Sequence, residues 1–259
     1  MSEQDKMFYK NYRSGILVNG NERSGHRALL YSMGLDDDDF RKPIIGIANS
    51  FSELVPGHIH LRELAQSVRE GILEAGGIPR EFGTIAICDG LCQGHSGMRY
   101  SLPSRDIIAD SVEAVVQGHQ LDAVVLMCAC DKIVPGMIMA AARLDIPAIV
   151  VTGGPMLPGH RDGDDNFVQC NIREAVGEYQ LGKISYEKMK ELEMATAPTV
   201  GSCGMMGTAN TMSCLSEVLG LTLPRMGTSP AVSTEKRRLA RQSGKRIVEM
   251  VKEGLTTQK

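Results

Sequence analysis

Between residues 43 and 152, short apolar runs alternate with stretches whose apolar residues recur at helical spacing. This alternation restricts the chain to few folds. Ile44–Asn49 (IIGIAN), residues 84–88 (TIAIC), Ala123–Cys128 (AVVLMC) and Ala148–Thr152 (AIVVT) read as strands. Each is a nearly continuous apolar run, as in strands buried on both faces. Residues 59–75 place Leu61, Leu64, Ala65, Val68 and Ile72 on one helical face, and Gly76-Gly77 ends that helix. Ser104 suits the N-cap of a helix carrying Ile107, Ile108, Val112, Val115 and Val116. Pro135 suits the first turn of a helix running to about Arg143. Strands alternating with helices imply a parallel sheet with right-handed crossovers. The expected fold class is α/β: a parallel sheet flanked by helices in three layers, followed by a helical segment.

Three segments follow from this pattern. Residues 1–42 are polar and irregular and form an N-terminal arm, with the acidic run at 36–39 read as a solvated turn. Residues 43–157 form the parallel α/β core. Residues 158–259 form a mostly helical extension packed on the same domain, with helices near 171–181, 185–195, 207–219 and 234–253. Within it, residues 158–167 (PGHRDGDDNF) read as a mobile polar loop.

A chain of 259 residues can bury an adequate core without covalent staples. Its net charge of −3 and lack of Trp give no support to nucleic acid or an anionic membrane as partner. No apolar run approaches the roughly 18 residues of a membrane span. The polar N-terminus has no signal-peptide core, so the expected compartment is the cytoplasm. In that reducing setting, the seven cysteines are core residues, nucleophiles or metal ligands rather than disulfide partners.

Open parallel sheets bind ligands beyond the carboxyl ends of their strands. There the sequence has Asn49-Ser50 and Pro56-Gly57-His58, then Asp89-Gly90 and Gly94-His95, then Cys130-Asp131-Lys132, then Gly153-Gly154-Pro155. Asp89 and Asp131 admit two readings: caps of the following helices, or a repelling carboxylate pair that shares a hard cation such as Mg²⁺. Cys88 and Cys128 lie within expected strands and read as small core hydrophobes. Cys130 stands just past a strand, and Cys203 stands in the Gly-rich loop Gly201-Ser202-Cys203-Gly204 before a helix. Thiolates in such loops suit soft metals or clusters. Cys128-Ala129-Cys130 is not a zinc pair, and no second pair accompanies it. Lys132 reads either as a surface charge or as part of the site. His58, His60 and His95 read as structural or substrate-contacting rather than as metal ligands. The Gly153-Gly154-Pro155 turn is a weak anion-site motif. Neither GxGxxG nor GxxxxGK[ST] is present.

A longer set of motifs occurs in order. It comprises Pro56-Gly57-His58-Ile59-His60-Leu61, Cys88-Asp89-Gly90, Gly94-His95-Ser96-Gly97-Met98, Tyr100-Ser101-Leu102 and Arg105-Asp106. Cys130-Asp131-Lys132 with Pro135-Gly136-Met137 comes next, then Gly153-Gly154-Pro155-Met156, Gly201-Ser202-Cys203-Gly204-Met205 and Thr208-Ala209-Asn210. Over roughly residues 12–253 the chain resembles the dihydroxy-acid dehydratase and phosphogluconate dehydratase family. The resemblance implies that Cys130 and Cys203 bind an iron–sulfur cluster, of the two-iron or four-iron type. It implies that Asp89, Asp131 and a carbamylated Lys132 bind Mg²⁺, which makes Lys132 the catalytic candidate of this chain. The implied reaction is dehydration of a 2,3-dihydroxy acid to a 2-keto acid. The expected substrate is 2,3-dihydroxyisovalerate, of branched-chain amino-acid biosynthesis, and a sugar acid such as gluconate, arabinonate or xylonate is the alternative. A reading of another class is a non-catalytic, cluster-binding half or subunit that needs a partner.

Two departures matter. Members with a two-iron cluster carry a third cysteine where this chain has Gly57, and Cys88, Cys92 and Cys128 are replacements among which the sequence does not choose. Val200 also stands where many members have Cys. The family is about twice as long, and its C-terminal β-rich domain, source of a further Mg²⁺ carboxylate and of a serine base, is absent from this sequence. A homodimer, or a partner chain supplying that half, is the expected assembly.

Overall fold

The computed structural model describes residues 11–257, so the first ten residues of the arm lie outside the described residues. Four parallel strands form the central sheet in the order β2-β1-β3-β4. They are β1 (Ile44–Asn49), β2 (Ile78–Gly83), β3 (Ala123–Cys128) and β4 (Ala148–Thr152). β1, β3 and β4 are buried along their whole lengths. One sheet face packs on α2 (Leu61–Glu74) and α10 (Thr234–Glu253), through Val68, Ile72, Ile247 and Val248. The other packs on α5 (Ser104–Gly118) and α6 (Ile133–Leu144), through Ile108, Val112, Met137 and Ala141. The result is a three-layer α/β/α arrangement, with its outer layers held to the sheet by apolar burial.

Four expectations are corrected. The second strand is β2, not residues 84–88. Ile78-Pro79-Arg80-Glu81-Phe82-Gly83 is an edge strand, paired among the described residues with β1 alone and half-exposed along its outer part. An edge tolerates Pro79 and two charges, so its sequence lacks the apolar run of a central strand. The apolar residues 84–88 instead run irregularly past the sheet, after a last backbone bond from Thr84 to Asn49 (3.1 Å). Ser104 is the first residue of α5 rather than its N-cap, which is Pro103, and its hydroxyl donates to Ser101 O (2.5 Å).

Residues 158–167 are not a loop. They form a hairpin, β5 (Gly159–Arg161) and β6 (Asp164–Phe167), turned by Asp162 and Gly163 at φ +47° and +93°. Asp-Gly is the dipeptide that such a two-residue turn demands. The described part of the arm is ordered as well. Three 3-10 turns and α1 (Ser24–Ser32) lead to β1, and the buried Asp122 carboxylate fixes their course by accepting from Ser14 N and Ile44 N (both 2.7 Å).

Two short helices, α3 (Asp89–Cys92) and α4 (Met98–Ser101), lie between β2 and α5. In the extension, α7 (Asn171–Gln180), α8 (Tyr186–Ala195) and α9 (Thr208–Val218) precede α10. Among the described residues, no helix is long and apolar enough to cross a membrane.

Candidate metal centre

β1 is flanked by β2 on one side and β3 on the other, and the chain reverses its direction of travel across the sheet there. Such a switch point opens a crevice at the carboxyl ends of the strands. The loops after β1 and β3 meet in it. Cys130, two residues past β3, is buried and adopts φ +63°. That left-handed conformation is costly for a residue with a side chain and persists only where its surroundings enforce it. His58 is one enforcing group. It is fully buried, with Nδ1 2.7 Å from Ser50 O and 3.0 Å from Ser50 Oγ and with Nε2 3.0 Å from Ala129 O. A ring whose N–H is on Nε2 donates to Ala129 O, can accept from Ser50 Oγ, and ties the β1 loop to the residue preceding Cys130. Burial lowers its pKa to about 4, and the ring is neutral at ordinary pH. Gly57 is the other enforcing element. A Cβ at this position would lie 2.6 Å from Cys130 Sγ and 3.3 Å from the Ser202 backbone, so only glycine lets the loops meet this closely.

The Gly-Ser-Cys loop arrives from the extension and is stitched to both neighbouring loops. Gly201 N donates to Pro56 O (3.1 Å), Ser202 N to Gly154 O (3.0 Å) and Met156 N to Ser202 O (2.9 Å). The Gly153-Gly154-Pro155 turn is thus spent on bracing Cys203 rather than on receiving an anion. His60 supports the same turn through Nε2, 2.9 Å from Gly153 O. Asn210, on α9, donates to Cys203 O (2.9 Å) and Met205 O (2.6 Å), and its Oδ1 accepts from Ser202 Oγ (3.2 Å). One amide side chain therefore satisfies three groups of the loop that carries Cys203.

Asp89 begins α3, and its carboxylate accepts from Ser101 Oγ and pairs with Lys132 Nζ. Lys132 and Asp89 side chains are only 18% and 13% exposed, so the pair is shielded from solvent. Asp131 is half-buried. Desolvation first and Asp89 second raise its pKa, against the opposing effects of Lys132 and the Ala209 amide at the start of α9. His95 is used locally, with Nε2 2.8 Å from Leu91 O and Nδ1 accepting from Gly97 N (3.1 Å).

These segments enclose a cavity of about 540 Å³ whose walls include Pro56, Cys88, Asp89, Cys130, Asp131 and Cys203. Exposed Cys170 and Arg173 also line it. Burial first, then Cys88, Cys203, Asp131 and Asp89, hold the Cys130 thiol well above its ordinary range. Burial, then Asp131 and Cys88, raise Cys203. Thiolates and carboxylates thus oppose one another's ionisation across one crevice, and positive charge bound there would relieve this cost. Among the described residues, no three His, Cys, Asp or Glu side chains converge tightly enough to hold a single metal ion. A polynuclear cluster distributes its ligands over several irons, and the three buried or half-buried thiols among the four on this cavity, Cys88, Cys130 and Cys203, fit that chemistry. For a hard cation the side chains offer two carboxylates and a lysine. A carbamate on Lys132 would replace its ammonium with a third oxygen donor.

The five residues singled out in the sequence, Asp89, Cys130, Asp131, Lys132 and Cys203, gather here. Lys132 stands behind Asp89 rather than on the cavity wall. Two further residues were left without a settled role by the sequence reading. Cys88 was one of three candidate replacements for the missing cysteine, within an apolar run that reads as a strand. Asn210 stands in a motif that names it but gives no role.

A sequence-family profile described as "Dihydroxy-acid/6-phosphogluconate dehydratase N-terminal" matches residues 42–259. A protein of Methanothermobacter thermautotrophicus named dihydroxy-acid dehydratase is 56% identical over 243 residues, which is 94% of this chain and 44% of that protein. One of the same name from Methanosarcina barkeri is 53% identical over 248 residues, 95% of this chain and 44% of its own length. A third so named, from Clostridium pasteurianum, is 52% identical over 247 residues, covering 95% of this chain and 86% of the relative. The chain spans less than half the length of the first two relatives.

Proposed function

This chain belongs to the dihydroxy-acid/6-phosphogluconate dehydratase family, and on that premise we propose that it carries the metal-binding half of an enzyme that dehydrates a 2,3-dihydroxy acid to a 2-keto acid. The observation that carries the reading is the convergence of Cys130, Cys203, Asp89 and Asp131 on one cavity. Cys130 and Cys203 would hold an iron–sulfur cluster, and Asp89, Asp131 and a carbamylated Lys132 would hold Mg²⁺. When bound, the two centres supply Lewis acidity, toward the departing 3-hydroxyl and toward the substrate carboxylate and 2-hydroxyl.

The protein's part is positional. Asp131 directly follows Cys130, so the turn enforced by His58 and Gly57 fixes a cluster thiolate and a cation carboxylate together. Arg173 offers a guanidinium on the wall to an anionic substrate. Overall, the C2–H proton passes to a base and the C3–O bond breaks with release of water. The enol that remains tautomerises to the keto acid. The base belongs to the β-rich domain that the resemblance implies.

All three relatives carry the dihydroxy-acid name, which favours 2,3-dihydroxyisovalerate over a sugar acid. The test is to purify the complete protein anaerobically, measure iron, acid-labile sulfide and magnesium, and assay 2,3-dihydroxyisovalerate beside gluconate, arabinonate and xylonate. The expected result is a brown protein that turns over the branched-chain substrate. A preference for a sugar acid would correct the substrate. A protein without iron or sulfide after anaerobic reconstitution would overturn the reading.

A further inference from the structure

We propose that Cys88 is the third cysteine ligand of the cluster, so that two Cys-Asp dipeptides, Cys88-Asp89 and Cys130-Asp131, face each other and each reaches both metal centres. The inference rests on the functional reading above and adds to it a ligand that the family's motifs do not supply at Gly57.

The first argument is position. Cys88, Cys130 and Cys203 line the same cavity wall, and Cys88 lies half-buried at the N-cap of α3, directly before Asp89.

The second argument is elimination on geometry. Position 57 cannot contribute, because glycine stands there and even a Cβ would lie 2.6 Å from Cys130 Sγ. Cys128 is fully buried within β3, its thiol toward Leu126 O, and is not part of the cavity wall. Cys92 and Cys214 are not part of the wall either. Cys170 is, but it is exposed and its thiol contacts Met205 Sδ at 2.8 Å.

The third argument is the repeated dipeptide. Asp89 and Asp131 sit on opposite loops, and each directly follows a cavity thiol. Neighbouring residues of an extended or turn segment separate their side chains, so one dipeptide can serve two metals side by side. With Cys88 on iron, Asp89 is fixed by a covalently ligated neighbour, just as Asp131 is fixed by Cys130. Three thiolates on a four-iron cluster would leave one iron without a protein ligand, open to the cavity.

The test uses the complete protein, purified and reconstituted anaerobically, in three forms: unmodified, Cys88→Ser and Cys92→Ser. Iron and acid-labile sulfide per chain are measured, with the electron paramagnetic resonance spectrum of the dithionite-reduced sample. The proposal expects Cys88→Ser to lose most of its iron and sulfide or to show an altered spectrum, with Cys92→Ser matching the unmodified protein. Wild-type iron, sulfide and spectrum in Cys88→Ser would overturn it and leave the functional reading standing. Absence of iron and sulfide from the unmodified protein would overturn both.

A second measurement needs no substitution. Alkylation of the unmodified protein, mapped by mass spectrometry, should spare Cys88 when the cluster is loaded and modify it after the cluster is stripped with a chelator. Equal labelling in the two states overturns the proposal.

Discussion

The two Cys-Asp dipeptides of the centre are held by different means. Cys130-Asp131 follows the fully buried strand β3, with a neutral histidine clamped on one side and Gly57 pressed against its thiol. Cys88-Asp89 follows an irregular run outside the sheet and opens a one-turn helix with exposed residues. It is tied through Asp89, which accepts from Ser101 and pairs with Lys132. One dipeptide is preorganised by packing; the other is held chiefly by charge and polar contact. A segment with few buried contacts opens at lower cost than the core it leans on. Metal loading should therefore order the Cys88 side and leave the Cys130 side nearly unchanged.

The largest effect that bears on this contrast is loss of the packed thiolate. In the complete protein, Cys130→Ser should abolish turnover and cluster loading, and Asp131→Ala should abolish turnover. Because serine nearly matches cysteine in size, the apo variant should still fold, with a melting temperature lowered only by the cost of a buried hydroxyl, about 1–3 kcal/mol. Retained activity in either variant would remove the centre from this turn altogether.

The clamp on that turn can be tested through pH. Burial holds His58 at about 4, against 6.5 for the free side chain. As pH falls through 6.5, the unfolded chain takes up this proton while the folded protein does not, so stability declines until pH reaches about 4 and is fully present above 6.5. At about 1.4 kcal/mol per unit, the decline attributable to this ring is about 3 kcal/mol. In His58→Phe that share of the pH dependence should vanish. The variant should also be weaker at neutral pH by about 2 kcal/mol, from the one buried carbonyl to which the neutral ring's single N–H donates. Urea midpoints measured between pH 4 and 7 report both effects. An unchanged pH profile would show that His58 does not clamp the turn.

The same contrast explains what was legible in the sequence. The bounds of β1, β3 and β4 could be read because strands buried on both faces have to be apolar throughout. β2 could not, because an edge strand with one pairing partner admits Pro79, Arg80 and Glu81. The apolar run at 84–88 then took its place in the reading and concealed Cys88 as a core residue. Cys130, Asp131 and Lys132 could be placed because they abut a strand whose end is sharp. The hairpin at 159–167 carried its signal in Asp162-Gly163, which its polarity obscured. Asn210 and His58 act through backbone groups of loops distant in sequence, and no local pattern encodes such bonds.

Asn210 extends the comparison to the third thiol. It satisfies two carbonyls and one hydroxyl around Cys203. Asn210→Ala should cost about 2 kcal/mol, because two part-buried carbonyls and the Ser202 hydroxyl lose this partner together. The loss should be local: amide hydrogen exchange should quicken at residues 201–206 and stay unchanged in β3. Uniform acceleration across the sheet would show that the Gly-Ser-Cys loop is not a separate unit.

The smallest effect is expected where the contrast predicts almost none. Leu91, in the same short helix as Asp89, lines the cavity yet is 63% exposed. Truncating an exposed side chain removes little burial, so Leu91→Ala should change apo stability by less than about 0.5 kcal/mol. In the metal-loaded protein the same change should be felt more, because the segment is then ordered and Leu91 faces an occupied site. Denaturant unfolding of the apo and loaded forms gives the two values. A loss above about 1.5 kcal/mol in the apo form would place Leu91 in the class of buried side chains. The Cys88 segment would then be packed as firmly as the Cys130 turn, and the distinction between the two dipeptides would fail.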